Sequence, residues 1–194
     1  AEMPGTYEKN KFDLAGFAVG LVEKKNLLTK DNIKINDVIL AVPSSGIHSN
    51  GFSLVRNILS QKKNYHIPQN IKKELIKPTK IYVEEVNKIS KKKLINGCSN
   101  ITGGGLLNNL IRVIPEKLCV NINLSKIKIK YIFKWLKKNN INDQEMLKTF
   151  NCGVGFCLIA NKKNIKKIKK AFPKKYKPYQ IGFISKEKVK IKTI

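Results

Sequence analysis

Residues 37 to 59 run Asp37-Val38-Ile39-Leu40-Ala41-Val42-Pro43-Ser44-Ser45-Gly46-Ile47-His48-Ser49-Asn50-Gly51-Phe52-Ser53-Leu54-Val55-Arg56-Asn57-Ile58-Leu59. The apolar run from 37 to 43 is short and continuous, which predicts a buried strand. Ser44 to Gly51 is a polar turn. Beyond it Phe52, Val55 and Leu59, with Leu54 and Ile58, mark two adjacent rows of a helix. Asn50-Gly51 alone would suggest a hairpin, but the helical period that follows makes the unit strand, turn, helix.

The same reading extends in both directions. Residues 12 to 22 (Phe-Asp-Leu-Ala-Gly-Phe-Ala-Val-Gly-Leu-Val) read as a mostly buried strand. After Pro68 comes a short helix, and a better one over 79–91, where Tyr82, Val86 and Ile89 share a face. Thr102-Gly103-Gly104-Gly105 is the strongest breaker, followed by a helix over 106–113 that Pro115 ends. Leu118, Val120, Ile122 and Leu124 alternate as a half-buried strand does. Helices are expected over 131–138 and 144–149, a strand over 152–160, a basic helix from Ile165, and closing strands near 181–183 and 189–193. Strands and helices interleave without strict alternation, which predicts a layered α/β or α+β fold. No repeat or linker divides the 194 residues, so one domain is the simplest count.

Composition sets outer limits. An apolar content of 42% and an aromatic content of 8% are those of a globular chain. No apolar run approaches the roughly 20 residues that span a bilayer, and Ala1-Glu2-Met3-Pro4-Gly5 lacks a secretory pattern; neither a membrane protein nor a secreted precursor is expected. Cys98, Cys119, Cys152 and Cys157 form no Cys-x-x-Cys pair, so reduced thiols in a cytoplasmic protein are the default. The net charge is +26, yet Arg56 and Arg112 are the only arginines. Dedicated phosphate and base readers lean on arginine's planar fork, so solvated lysine faces are the favoured reading. The stretch 161–192, with 13 lysines and one acid, is expected to lack the interleaved exposed aromatics of a stacking platform; no specific nucleic acid is expected as a partner.

Two loops carry chemistry. Ser45, Gly46, Ser49, Asn50 and Gly51 lead into a helix N-terminus, where unpaired N–H groups favour an anion. His48 there could donate to a phosphate oxygen or move a proton near neutral pH. On spacing alone a capped turn fits equally well. Thr102, Gly103, Gly104 and Gly105 repeat the arrangement: three glycines in a row imply a backbone that must stay bare, for a turn or for a ligand. Two such loops in a lysine-rich chain favour a phosphorylated small molecule, provided they lie on the same side of the fold. His66 is expected in solvent, Cys152 and Cys157 in the core, and Glu84-Glu85 on a solvated helix face. No Asp/Glu cluster suggests a magnesium site.

These blocks, taken in order, resemble a known family. Ala1 to Gly5, Asp13 to Phe17, Ser44 to Arg56, Pro78 to Tyr82, Thr102 to Gly105 and Glu145 to Gly155 together resemble phosphoribosylformylglycinamidine cyclo-ligase, or aminoimidazole ribonucleotide synthetase, in its C-terminal half. The resemblance implies an α+β fold, a three-layer α/β/α domain with a mixed sheet flanked by helices. It implies ATP-dependent ring closure of formylglycinamidine ribonucleotide to 5-aminoimidazole ribonucleotide in purine biosynthesis, by a cytoplasmic homodimer. Residues 1–11 would then be linker from an N-terminal ATP-binding half, which would supply most contacts to ATP and Mg2+, leaving this chain incomplete for catalysis. Asn100, Asn108 and Ile111 depart from the family's common His, Glu and Pro. Related ATP-dependent enzymes of the superfamily, such as formylglycinamide ribonucleotide amidotransferase or selenophosphate synthetase, are one alternative, and a basic nucleic-acid-binding module is the less favoured other.

Overall fold

Strand β1, Val38–Pro43, lies inside the sheet, hydrogen-bonded on both edges. The computed structural model describes residues 16–61, 67–187 and 189–194. Among these the further strands are β2 (Gly97–Asn100), β3 (Cys119–Ile122), β4 (Val154–Ala160), β5 (Tyr179–Ser185) and β6 (Ile191–Thr193). They form one sheet in the order β2-β4-β1-β5-β3-β6. The β3–β6 pair is parallel and the other pairs are antiparallel. The helices are α1 (Phe52–Gln61), α2 (Gln69–Leu75), α3 (Val83–Lys91), α4 (Gly105–Val113), α5 (Tyr131–Lys137), α6 (Asp143–Thr149) and α7 (Ile165–Lys170).

The period-2 geometry of β1 divides the core. Ile39 and Ala41 join Leu106, Leu110 and Ile114 of the α4 region on one face. Val38, Leu40 and Val42 join Ile89 of α3 and Ile168 of α7 on the other. Both faces are thus covered, giving the expected three-layer arrangement, and β1 has no polar alternation because neither of its faces meets water. A third cluster contains Val55, Ile58, Ile71, Trp135, Phe150 and their neighbours from α1, α2, α5 and α6. Buried Asp37 ties the turn before β1 to the approach of β2: its Oδ2 accepts from the Lys34 N–H at 2.9 Å and from Asn96 Nδ2 at 2.8 Å.

Several expectations fail in instructive ways. Residues 16–22 form no strand and are exposed, Phe17 at 92% and Leu21 at 102%; their apolar pattern has no covering layer within the described chain. The helix expected from Thr79 starts at Val83, because Ser45 holds the backbone of Pro78 and Lys80 in another course. Strand β2, Gly-Cys-Ser-Asn, carries no apolar alternation and exists through its pairing with β4. All four residues of β3 are buried, since it too is covered on both faces. His66 and residues 1–11 lie outside the described residues.

Asp37→Ala should cost about 2 kcal/mol by orphaning two donors, lowering the melting temperature by roughly 4–8 °C in a domain of this size. Calorimetry checks this, and Asp37→Asn should lose less.

Candidate functional site

The turn after β1 is built around one imidazole. His48 is buried, at φ 55°, and its Nε2 accepts the Ser45 N–H at 2.9 Å. The Ser45 Oγ lies 3.0 Å from the same nitrogen, donates to the Pro78 carbonyl at 2.7 Å and accepts from the Lys80 N–H at 3.0 Å. Accepting at Nε2 places the proton of a neutral imidazole on Nδ1. Burial, with the Lys130 charge second, pulls the His48 titration down to about 4. The ring is therefore neutral at physiological pH, and a proton exchange centred near pH 7 is not what this environment supports. Gly155 of β4 makes room for it: a methyl there would overlap the Tyr82 hydroxyl and the His48 ring.

The loop's carbonyls are consumed from within. Ser45 O accepts from Lys130 Nζ at 3.0 Å and Gly46 O from Asn151 Nδ2 at 3.0 Å. Ile47 O accepts from the Asn50 N–H at 3.3 Å, His48 O from Asn50 Nδ2 at 2.8 Å, and Gly51 O from the Val55 N–H at 3.0 Å. A trans peptide points its N–H opposite to its C=O. The N–H groups of Gly46, Ile47, His48 and Ser49 consequently turn away from these donors, and among the described residues they have no hydrogen-bond partner. Gly46, Ile47 and His48 are buried, and unpaired buried N–H groups are rare in folded proteins.

The triple-glycine loop is organised in the same way by Asn109 of α4. Its buried amide faces the carbonyls of Thr102 at 3.2 Å, Gly103 at 3.2 Å and Gly105 at 2.7 Å, while Thr102 Oγ1 donates to its Oδ1 at 3.3 Å. Among the described residues the N–H groups of Gly103 and Gly104 have no partner. The two loops are neighbours: a methyl added at Gly103 would sit 3.8 Å from Asn50 Oδ1. Both press on the end of α6. Gly51, at φ 75°, packs on Thr149 and Phe150, and Gly105, at φ 66°, lies so close to the Leu147 carbonyl that any side chain would collide with it.

Of the residues singled out in the sequence, Ser45, Gly46, His48, Ser49, Asn50, Gly51, Thr102, Gly103, Gly104 and Gly105 therefore belong to two adjoining loops. Ser45 and His48 serve as internal struts, while Ser49, Thr102 and Gly103 are exposed. Nothing in the local sequence of Asn109 or Lys130 distinguishes them, and Asn151 stands in the Glu145–Gly155 block with no local sign of its bond to Gly46. Exposed Asn100 borders a cleft of about 300 Å³ with Lys80, Tyr82 and Phe156, and exposed Asn108 stands beside Gly104. Glu85 is not on a solvated face: its carboxylate is 2.7 Å from Lys80 Nζ, with both side chains largely buried. Burial pushes the Cys152 thiol up to about 12 and raises Cys157 as well, which suits core packing. Among the described residues no group of three or more His, Cys, Asp or Glu could hold a metal ion, and no helix is long and apolar enough to cross a membrane. Glu74 and Glu85 are paired with Lys77 and Lys80.

Comparison with known proteins gives a consistent picture. The model of the family described as AIR synthase related protein, C-terminal domain, matches residues 34–193. A phosphoribosylformylglycinamidine cyclo-ligase of Lactobacillus helveticus is 39% identical, with 100% of this chain and 58% of that protein covered. One of Carboxydothermus hydrogenoformans is 42% identical, with 95% and 56% covered. The chain thus spans about half the length of the curated relatives it matches. In fold it is similar to a Thermotoga maritima PurL complexed with ATP (TM-score 0.57, 11% identity, 89% of this chain and 25% of that one). The thiamine monophosphate kinase of Aquifex aeolicus is similar too (TM-score 0.56, 16% identity, 86% and 52%).

Two outcomes are expected. Asn109→Leu should destabilise the chain by about 1–3 kcal/mol and speed amide exchange at 103–105, read by urea unfolding and NMR. The pH dependence follows from His48. An unfolded histidine titrates near 6.5 and the folded one at about 4, so between these values the unfolded chain binds a proton that the native chain refuses. Stability should accordingly fall as pH drops from 6.5 towards 4, and His48→Gln should flatten that slope.

Proposed function

The chain belongs to the AIR synthase related protein family, as its C-terminal domain, and on that premise we propose that it forms one wall of the active site of a phosphoribosylformylglycinamidine cyclo-ligase. The reaction is the ATP-dependent closure of formylglycinamidine ribonucleotide to 5-aminoimidazole ribonucleotide in purine biosynthesis, in the cytoplasm. The observation that carries this reading is the pair of adjoining loops whose carbonyls are engaged internally and whose N–H groups at 46–49, 103 and 104 have no hydrogen-bond partner among the described residues. Bound ATP would supply the phosphoryl group that activates the substrate's amide oxygen. The chain's own part is to hold phosphate oxygens with fixed backbone dipoles, which need no reorganisation as charge develops. His48, neutral with its proton on Nδ1, orients an oxygen by donation and does not shuttle protons at neutral pH.

The remaining contacts are assigned to the part of the relatives that this chain does not cover. Mg2+ and most nucleotide ligands belong there, because the described residues bring together no group of three or more His, Cys, Asp or Glu. The whole of 1–194 acts as one domain, with 1–11 as its linker, and the complete enzyme works as a homodimer. Exposed Phe17, Val19, Leu21 and Val22 fit a surface that other protein covers, since an apolar stretch of this kind is costly in water.

By itself the chain should show negligible ATP-dependent ring closure, and co-expression with the N-terminal half of a relative should restore it. Full turnover by residues 1–194 alone would sink the division of labour. In the complete enzyme His48→Ala should lower kcat/KM at least about tenfold, some 1.4 kcal/mol of barrier. The wild-type profile should carry no His48 limb between pH 6 and 8. A limb near 6.5 that vanishes in His48→Ala would instead restore proton transfer to this residue.

A further inference from the structure

Lys130 stands in an electrostatically awkward place. It is the N-cap residue of α5, where the helix presents its positive end, and its side chain makes no cap. Lys77 and Lys175 add positive potential there; among the described residues Glu74 opposes them, and Glu74 is itself bonded to Lys77 at 2.7 Å. Burial is the largest influence on the ammonium and lowers its pKa. A lysine kept against these costs implies a compensating contact, and the structure contains one: Nζ donates to the Ser45 carbonyl at 3.0 Å, across 85 residues of sequence.

We propose that Lys130 is a positioning residue for the anion-binding face of the Ser45–Gly51 loop: its ammonium pins the Ser45 carbonyl and so directs the Gly46 N–H to the opposite side of that peptide. This rests on the anion-site reading above. The planar peptide between Ser45 and Gly46 sets the N–H antiparallel to the C=O, so holding the oxygen sets the direction of the N–H. Ser45 is also fixed through its N–H on His48 and its Oγ on Pro78 and Lys80, so Lys130 holds the one remaining polar atom of that residue. The ammonium does not touch the anion. It acts through the peptide, and secondarily by discouraging a positive charge on His48. The groups that face this pair are Tyr82 against the His48 ring, Lys80 on Ser45 and paired with Glu85, and Glu74, Lys77 and Lys175 around Lys130.

The test uses the 15N-labelled chain and inorganic phosphate, followed by NMR, with Lys130→Met, Lys130→Arg and Lys134→Met compared. Lys134 lies one turn along α5 and is exposed, so its loss changes net charge equally without touching the loop. Lys130→Met should shift the Gly46 and Ile47 amide resonances, raise the His48 midpoint by at least ~0.5 pH and weaken phosphate binding about fivefold. Lys130→Arg, which keeps charge and donors, should recover most of each effect, and Lys134→Met should match wild type. If Lys130→Met does not fold, Lys130→Gln removes the same charge and carries the same expectations. A His48 midpoint and a Gly46 resonance indifferent to loss of the Lys130 charge overturn the proposal. A wild-type chain that binds no phosphate, while those two signals still respond, overturns the anion-site reading instead.

Discussion

Hydrogen bonds from side-chain donors to loop carbonyls are the interaction on which the site depends. A loop left to water would pair its C=O and N–H groups with solvent alike and carry no polarity. Here Lys130, Asn50, Asn151 and Asn109 take the oxygens of two loops. Because each peptide is planar, engaging an oxygen directs the hydrogen on its other side. The proposed anion site would rest on such fixed dipoles of one sign.

The helical cluster is what allows the loops to meet. Gly51 and Gly105 both lie against the end of α6, at distances that admit no side chain, and Asn151 follows directly to bind Gly46 and to accept from the Gly153 N–H at 2.8 Å. The Phe150-Asn151-Cys152-Gly153 block therefore buttresses both loops. A cavity left by trimming Phe150, which is fully buried against Phe133, would be felt at both loops, since close-packed interiors transmit strain.

Electrostatics separates two roles that histidine can play. In water His48 would titrate near neutrality and could serve as an acid or base. Enclosed by Tyr82, Gly155 and Ser45, with Lys130 close by, it is held neutral. That makes it a strut with one donor to spare, which suits the proposed role of orienting an oxygen.

Much of the fold was legible in sequence because burial imposes periodicity. The runs at 38–43 and 154–160 and the rows in α1, α4 and α5 are each local signatures of a covered face. The two loops were legible because glycine and serine before a helix have local consequences. Residues 16–22 misled, since an apolar pattern records that a face is covered without recording by what. Strand β2 was invisible, because its pairing with β4 rather than its own side chains makes it a strand. The adjacency of the loops, the neutral state of His48 and the parts played by Lys130, Asn109 and Asn151 were decided by the tertiary structure alone. A side chain's partner across 85 or 105 residues leaves no trace in either one's neighbourhood, and a buried group's protonation depends on what surrounds it in space.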